Sequence, residues 1–291
     1  MVMCKKITQC PICLGEGVMV HKGTRDNGEI DVYWCQECGT RFLSVVDKDY
    51  DYENGFMHGD DRLSDADVEE RLHALEEDDV RRTKMVKDIC KNKTILDFGC
   101  GLGGFLQNIS EIAKSCGGVE LGRFEREYLQ KKGVKCYRTI EEWGEEKFDV
   151  ITLFHVFEHL ANPRMWLDKL SKYICTGGHL IIEVPNADDI LLSTYESEKF
   201  ADFTYWSAHL YLYTVRSLSQ IVEENGKYDI IEAGQVQRYP ISNHLMWLAK
   251  GLPGGHHEWN YLDDQKINKA YADKLRELNK CDTLFFILQM K

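Results

Sequence analysis

No run of apolar residues in this 291-residue sequence approaches the roughly 20 residues that a helix needs to cross a membrane. The longest candidate, Phe148–Leu160, is interrupted by Asp149, His155 and Glu158. The first residues, MVMCKK, contain no apolar core of the kind that a secretory signal carries. We therefore expect a cytoplasmic protein without a membrane span.

Positive charge is also scarce, because 36 Lys and Arg stand against 48 Asp and Glu, a net charge of −12. Such a balance repels the phosphate backbone of nucleic acids, and the basic residues near the start of the chain form no stripe. A nucleic-acid partner is therefore not expected. With 43% apolar and 11% aromatic residues the chain can bury a core, which excludes a disordered protein. Nothing in the sequence sets the oligomeric state.

Two closely spaced pairs stand out among the eleven cysteines, Cys10 with Cys13 and Cys35 with Cys38. The separation of about 20 residues between the pairs is typical of a four-cysteine zinc ribbon. A module this short has too little core to fold alone, so thiolate–metal bonds would stabilise it. Because four protein ligands leave no open position, we predict a structural Zn²⁺. A redox-active dithiol is the alternative.

The chain divides into three predicted parts. Residues 1–46 form the ribbon around a short hairpin, and residues 47–92 form a linker with charged N-terminal helices. From residue 93 to residue 291 strands alternate with helices, which predicts an α/β domain with a largely parallel sheet; residues 243–280 are an insertion. The seven predicted strands are Thr94–Phe98, Cys116–Glu120, Val134–Tyr137, Phe148–Leu153, His179–Val184, Asp229–Val236 and Thr283–Gln289. The predicted covering helices are Gly104–Lys114, Arg123–Lys132, Pro163–Ile174 and Arg216–Asn225, with Gly177 and Gly178 at the C-cap of the third.

A glycine-rich turn follows the first of these strands. After Asp97 come Gly99, Gly101 and Gly103, which allow a ligand to approach the backbone at the start of a helix. About 20 residues later Glu120 stands at the tip of the second strand, where an acid suits a ribose diol. The glycines also satisfy the dinucleotide fingerprint, so the loop alone leaves the cofactor open.

The wider order of motifs resembles class I methyltransferases that use S-adenosylmethionine. ILDFGCGLG, FDV, EHL followed by a proline, and GGHLIIEVPN occur in the order of that family, over about residues 94–236. The resemblance implies a Rossmann-like sheet of seven strands. It also implies a cofactor site formed by Asp97, Gly99, Gly101, Gly103, Glu120, Leu121, Thr139, Ile140 and Phe154.

Each part of the cofactor has an implied contact in this resemblance. The glycines would face the methionine part, the aspartate would order the loop, and Glu120 would hold the ribose hydroxyls. Leu121, Thr139 and Ile140 would frame the adenine, and Phe154 would lie near the sulfonium. The family commonly has Asp where Glu120 stands, and an acid near Thr139 and Ile140, so the sequence departs from the pattern at two places.

Methyl transfer to a hydroxyl is an in-line displacement that needs a positioned base. Acceptors enter over the carboxyl ends of the strands, where His155 is our first candidate for the base and His209 the second, since imidazoles titrate near neutrality. His159, Asn186 and Tyr205 are predicted to face the substrate. The segment from His155 to His159 also resembles the metal-binding pattern of some quinone-pathway O-methyltransferases, with Glu158, so a second metal is left open.

A zinc ribbon ahead of this domain resembles enzymes that modify nucleotide-linked sugars or surface-polysaccharide precursors. The C-methylating members carry a further C-terminal domain that this sequence has no room for. O-methylation of a sugar, nucleotide sugar or glycan substituent is therefore the preferred function, with a small-molecule or glycan acceptor as partner. The alternatives are a ribosomal or other RNA methyltransferase with a zinc finger, and a SAM-binding protein without catalysis.

Overall fold

The computed structural model describes residues 7–45 and 65–291. Residues 47–64 of the predicted linker part therefore lie outside the described residues. In chain order the elements are β1 (Gly17–His21), β2 (Val32–Cys35), β3 (Arg41–Leu43), α1 (Asp65–Cys90), β4 (Thr94–Phe98), α2 (Gly104–Ser110), β5 (Ser115–Val119), α3 (Arg123–Lys131), β6 (Cys136–Tyr137), β7 (Phe148–Phe154), α4 (Pro163–Leu170), β8 (Ile174–Pro185), α5 (Ile190–Ser193), α6 (Glu198–Thr204), β9 (Tyr211–Leu212), α7 (Val215–Asn225), β10 (Tyr228–Val236), α8 (Ile241–Lys250), α9 (Gly255–Glu258), α10 (Gln265–Glu277) and β11 (Thr283–Met290).

Seven strands form one mixed sheet in the order β10-β11-β8-β7-β4-β5-β6. The five neighbouring strands β8-β7-β4-β5-β6 pair with one another in parallel. β11 pairs antiparallel with β8 on one side and with β10 on the other. The central strands carry apolar residues on both of their faces because helices cover both faces of the sheet. Leu96 and Ile151 belong to one core cluster, whereas their neighbours Ile95 and Val150 belong to the cluster on the opposite face. The α/β Rossmann-like fold is thereby confirmed.

Several predicted bounds were wrong at the ends of elements. The sequence predicted a helix from Pro163 to Ile174 and a strand beginning only at His179, but α4 ends at Leu170 and β8 begins at Ile174. Gly177, which the sequence predicted to cap that helix, instead lies within β8 with a φ of 76°. β8 begins earlier than predicted because Ile174, which precedes Gly177 and Gly178, pairs with Phe148 of β7.

The ribbon is not a separate sheet. β1, β2 and β3 form an antiparallel meander, and β9, which comes from the second half of the chain, pairs with β3 as the fourth strand. Phe42 pairs with Tyr211 and Arg41 with Leu212. The predicted hairpin is present, but nothing in the two residues of β9 indicated a strand.

Neither the ribbon residues 7–45 nor residues 65–291 contain a helix that is long and apolar enough to cross a membrane. The longest described helix, α1, has 26 residues and is strongly charged. It packs against α2 and β7, and so reaches the edge of the sheet at which the loops after β4 and β7 lie.

Candidate active site

The glycine loop joins β4 to α2 and is held by a backbone hydrogen bond of 2.7 Å from Gly99 N to the carbonyl of Val119. Gly99 and Gly101 have φ values of 81° and 53°, in the left-handed region that favours glycine. A Cβ at Gly99 would come within 2.4 Å of Val156, whereas a Cβ at Gly101 would meet nothing within 4 Å. The bare backbone at Gly101 therefore faces open space that a ligand can occupy.

Glu120 lies beside this open backbone. Its carboxylate accepts hydrogen bonds from Gly101 N at 2.8 Å and Gly122 N at 2.7 Å. Burial raises its pKa, because these two amides compensate only part of the lost hydration. Each oxygen keeps acceptor capacity for a hydroxyl group. Asp97 lies behind the loop, accepts from Thr152 Oγ1 at 2.7 Å, and has its pKa raised to about 7 by burial.

A cavity of about 330 Å³ opens below the loop, and we call it the loop cavity. The predicted residues that line it are Gly99, Gly101, Glu120, Leu121, Thr139, Ile140, His155 and His159. Trp166 and Lys169 in α4 also line it, as does Arg138. The sequence predicted α4 only as a covering helix, so these contributions were missed. Apolar walls, the Glu120 carboxylate with its remaining acceptor capacity and glycine backbone without side chains together fit S-adenosylmethionine.

Three residues predicted for the cofactor do not line the loop cavity. They are Asp97, Gly103 and Phe154. The ring of Phe154 packs against Phe105 with centroids 4.9 Å apart, and the guanidinium of Arg82 lies 4.9 Å from it. Phe154 therefore contributes to the wall behind His155 and not to the surface of the cavity.

His155 directly follows β7 and has a φ of 56°, a strained conformation for a residue with a side chain. Its Nε2 accepts a hydrogen bond of 2.9 Å from Arg238 Nη1, because a guanidinium can only donate. The proton of the neutral imidazole therefore lies on Nδ1, which is 3.3 Å from Glu158 Oε1. Glu158 is fully buried. Although burial would raise the pKa of Glu158, His155 and His159 hold it below its usual value.

A network of charges surrounds His155. Glu183 Oε1 lies 3.5 Å from Nε2 of His155 and also accepts hydrogen bonds from Arg81 and Arg82 of α1. Arg238 forms a salt bridge with Asp78, which also belongs to α1. Burial opposes the ionisation of Asp78, but Arg238 outweighs it and holds the pKa of Asp78 at about 2. The sequence showed α1 only as a charged helix, and the run DDVRR was the one signal of these contacts.

A second cavity of about 230 Å³ lies on the other side of His155. We call it the α8 cavity, because α8 forms one of its walls. Aromatic rings and carboxylates dominate its lining, notably Asp189, Phe200, Tyr239, Trp247 and Asp282, together with Arg238. His155 lines both cavities.

Two of the predicted substrate residues have their polar groups engaged elsewhere. The amide of Asn186 lines the α8 cavity, but it donates to the carbonyl of Cys281 at 2.7 Å and accepts from Asp188 N at 3.0 Å. Tyr205 is 3% exposed, and its hydroxyl accepts a hydrogen bond of 2.6 Å from Arg41 of the ribbon. Both side chains therefore hold the walls together.

His209 lines the α8 cavity but not the loop cavity. Burial, together with His159, lowers the pKa of His209 to about 3. Its buried Nδ1 has no hydrogen-bond partner within the described residues, and its ring lies 5.0 Å from that of His159. Glu158, His159 and His209 bring their ligand atoms within 4.8 Å of one another. The possible metal-binding group thus contains His209 in place of His155.

The four ribbon cysteines converge. The Sγ atoms of Cys10 and Cys38 are 3.6 Å apart, those of Cys13 and Cys35 are 3.3 Å apart, and all four lie within 4.8 Å of one another. Tetrahedral thiolates around one zinc are about 3.8 Å apart, so the donor set and its spacing fit that ion. Ile12 N points at the Sγ of Cys10 at 3.4 Å, as amides do in such knuckles.

The ribbon also holds the segment that follows α6. Arg25 N donates to the carbonyl of Tyr205 at 2.8 Å, and the guanidinium of Arg25 lies 4.5 Å from the ring of Trp206. Asp26 accepts hydrogen bonds from the backbone and the hydroxyl of Ser207. This segment carries His209, so the ribbon positions one wall of the α8 cavity.

Comparisons with known proteins agree with this geometry. Residues 69–231 match the family described as methyltransferase domain. The mitochondrial ubiquinone biosynthesis O-methyltransferase of Candida albicans is 29% identical over 126 residues, which cover 39% of this chain and 38% of the relative. The (S)-tetrahydroprotoberberine N-methyltransferase of Eschscholzia californica is 24% identical over 176 residues, covering 57% and 47%.

The fold is also found among solved structures. A complex between the Haloferax volcanii Trm112 methyltransferase activator and a methyltransferase aligns with a TM-score of 0.50 at 14% identity, covering 77% of this chain and 95% of that chain. At this identity the likeness shows the fold alone. The chain spans 38% and 47% of the lengths of the two curated relatives, so their substrates describe those proteins.

Proposed function

The chain belongs to the methyltransferase-domain family and is an S-adenosylmethionine-dependent methyltransferase, and from this premise we propose that it methylates a hydroxyl of a sugar, nucleotide sugar or glycan substituent. The observation that carries the proposal is that His155 lines both the loop cavity and the α8 cavity. A base at that junction can reach a hydroxyl in one cavity beside a methyl donor in the other. When bound, S-adenosylmethionine supplies the electrophilic methyl group.

The loop cavity is the proposed cofactor site. Gly99 and Gly101 offer backbone for close approach, and Glu120 accepts hydrogen bonds from the ribose hydroxyls. Leu121, Thr139 and Ile140, beside Trp166, form the part of the wall suited to the adenine. The contacts of Glu120 with two backbone amides hold its carboxylate in place before the cofactor arrives.

His155 is the proposed general base. Its Nε2 carries the lone pair, and its Nδ1 proton faces the buried carboxylate of Glu158. A proton taken up at Nε2 gives an imidazolium that Glu158 stabilises, as in other histidine–carboxylate pairs. Arg238 donates a hydrogen bond to Nε2 in this structure, so the acceptor hydroxyl has to take the place of Arg238 there. His209, whose pKa is lowered to about 3, is a poorer base at neutral pH.

The α8 cavity is the proposed acceptor site. Aromatic faces such as those of Trp247 and Phe200 suit the C–H surfaces of a sugar ring, and planar polar side chains such as Asp189 and Asn243 suit its hydroxyls. The four cysteines are proposed to bind a structural zinc ion, which keeps the ribbon folded against the wall of this cavity.

Incubation with methyl-labelled S-adenosylmethionine and pooled nucleotide sugars tests the proposal. We expect an O-methylated sugar that mass spectrometry identifies. A pool of total RNA serves as the competing acceptor. Label that enters only RNA, or no acceptor in any pool while the cofactor still binds, would contradict the proposed function.

A further inference from the structure

Two carboxylates line the α8 cavity, and neither forms a salt bridge with a described residue. Asp282 accepts hydrogen bonds from the Gln237 side chain and from the backbone amides of Arg238 and Tyr239. Asp189 is only 4% exposed, and one of its oxygens accepts a hydrogen bond of 2.7 Å from Leu191 N. Within the described residues its other oxygen makes no hydrogen bond. The cavity therefore contains one carboxylate oxygen that is ready to receive a donor.

The cations near Asp189 are engaged with other groups. Arg238 pairs with Asp78. Lys280 donates to the hydroxyl of Ser193 at 2.8 Å. Arg41, described above, donates to the carbonyl of Ala187 and to Tyr205. Asp189 is thus a buried acid that forms no salt bridge with a cation of the described chain, whereas Glu183 and Asp78 near His155 are paired with arginines.

Aromatic rings also line the α8 cavity. The rings of Phe200 and Phe203 lie 5.2 and 5.1 Å from that of Trp247, in edge and tilted arrangements. Tyr239 lines the same cavity. Aromatic faces attract cations, and more strongly where water is excluded. A buried carboxylate without a salt bridge, in a cavity that aromatic rings also line, favours a positive charge over a neutral group of the same shape.

We propose that the α8 cavity binds a protonated amine of the acceptor at Asp189, so that the acceptor is an amine-bearing compound. This inference rests on the proposed function, since it assigns the α8 cavity to the acceptor. The amine is the group that is recognised, and the hydroxyl near His155 remains the group that is methylated. An ammonium supplies both the missing hydrogen bond and the missing charge, whereas a hydroxyl supplies only the first.

Burial and the charge of Asp282 raise the pKa of Asp189 to about 8. An isolated carboxyl in this place is therefore largely protonated at neutral pH. A cation that pairs with it offsets the cost of burying the charge, so the carboxyl loses its proton when the ammonium binds.

The test compares two probes of one shape, cyclohexylamine, which is protonated at pH 7, and cyclohexanol. Their dissociation constants are measured by ligand-observed NMR titration of the full chain with zinc bound. We expect the ammonium to bind at least about tenfold more tightly, the worth of one charge-assisted hydrogen bond. The Asp189→Asn variant keeps the amide acceptor for Leu191 N, and in it this preference should fall to about one.

Asp264→Asn is the matched control, because Asp264 caps α10 through the same kind of side-chain contact, outside the cavity. Its preference for the ammonium should equal that of the unsubstituted chain. Equal binding of the two probes by the unsubstituted chain, or an unchanged preference in Asp189→Asn, would overturn the proposal. Neither readout involves methyl transfer, so failure here leaves sugar methylation standing, and failure to methylate sugars leaves this result standing.

Discussion

The loop cavity and the α8 cavity meet at His155 but are built in different ways. The contacts that shape the loop cavity are local: the hydrogen bond between Gly101 and Glu120 spans 19 residues. Those that shape the α8 cavity are distant, since Arg238 and His155 are 83 residues apart, and Arg41 and Tyr205 are 164 apart. Substitutions elsewhere in the molecule should therefore affect the loop cavity, the proposed cofactor site, less than the α8 cavity, the proposed acceptor site.

The ribbon makes this difference concrete. It touches the α8 side through the β3–β9 pairing, and Thr214 Oγ1 donates to the carbonyl of Cys38, one of the four clustered cysteines, at 2.7 Å. No ribbon residue in the range 7–45 lines the loop cavity. Loss of the metal should consequently separate acceptor binding from cofactor binding.

Replacing Cys35 by Ser is expected to have the largest effect. Because the proposed zinc site uses all four thiolates, methyl transfer should fall more than about 100-fold while the cofactor Kd stays within about threefold. Isothermal titration and a methyl-transfer assay measure the two quantities. Cys175→Ser, a cysteine outside the cluster, should change neither. Equal losses on both sides would mean that the two cavities are not independent.

The next largest effect is expected for His155→Asn, since asparagine tolerates the left-handed backbone at this position. Loss of the base should lower kcat by about 10²–10⁴-fold without changing cofactor affinity. His257→Asn, an exposed histidine of α9, is the control and should retain full activity. If His155→Asn remains active, another group such as His209 takes the proton.

A change on the cofactor side is expected to be smaller. Glu120→Gln should weaken S-adenosylmethionine binding by about 1–3 kcal/mol, the worth of hydrogen bonds to a charged group. Calorimetric titration gives the Kd, and Glu127→Gln, on the exposed surface of α3, is the matched control. Unchanged affinity in Glu120→Gln would place the ribose elsewhere.

The smallest effect is on stability. Burial and Asp282 raise the pKa of Asp189 to about 8, with Arg41 and Lys280 opposing the shift. An acid whose pKa is raised on folding stabilises the native state below its unfolded pKa, and that contribution is lost as the pH rises toward 8. Asp189→Asn does not titrate, so its melting temperature should exceed that of the unsubstituted chain by about 2–4 °C at pH 8.

At pH 4 the difference in melting temperature should disappear. Thermal unfolding followed by circular dichroism at the two pH values measures it. A melting temperature of Asp189→Asn that is equal to or lower than that of the unsubstituted chain at pH 8 would show that Asp189 is already neutralised in the native state.

Much of the fold could be predicted, because the relevant signals are local. The strand TILDF, the glycine turn and the acid at the end of the next strand lie within 27 residues, and their periodicity and turn geometry are encoded in adjacent residues. The α/β fold was predicted from such patterns and confirmed. The use of S-adenosylmethionine was predicted from the resemblance of the wider motif order to class I methyltransferases, and the family match supports it. Element ends were less accurate, as at α4 and β8, because pairing with a neighbouring strand decides where β8 begins.

Residue patterns alone thus indicated the sheet, the glycine loop and the cysteine pairs with their metal-binding spacing, and the resemblance to class I methyltransferases supplied the cofactor. Only folding brought Arg238 to His155, β9 to the ribbon and Asp189 into a cavity that aromatic rings also line. Arg238 and His155 are 83 residues apart, and Phe42 and its β9 partner Tyr211 are 169 apart. No local periodicity marks them, because each depends on which faces of separate elements pack together.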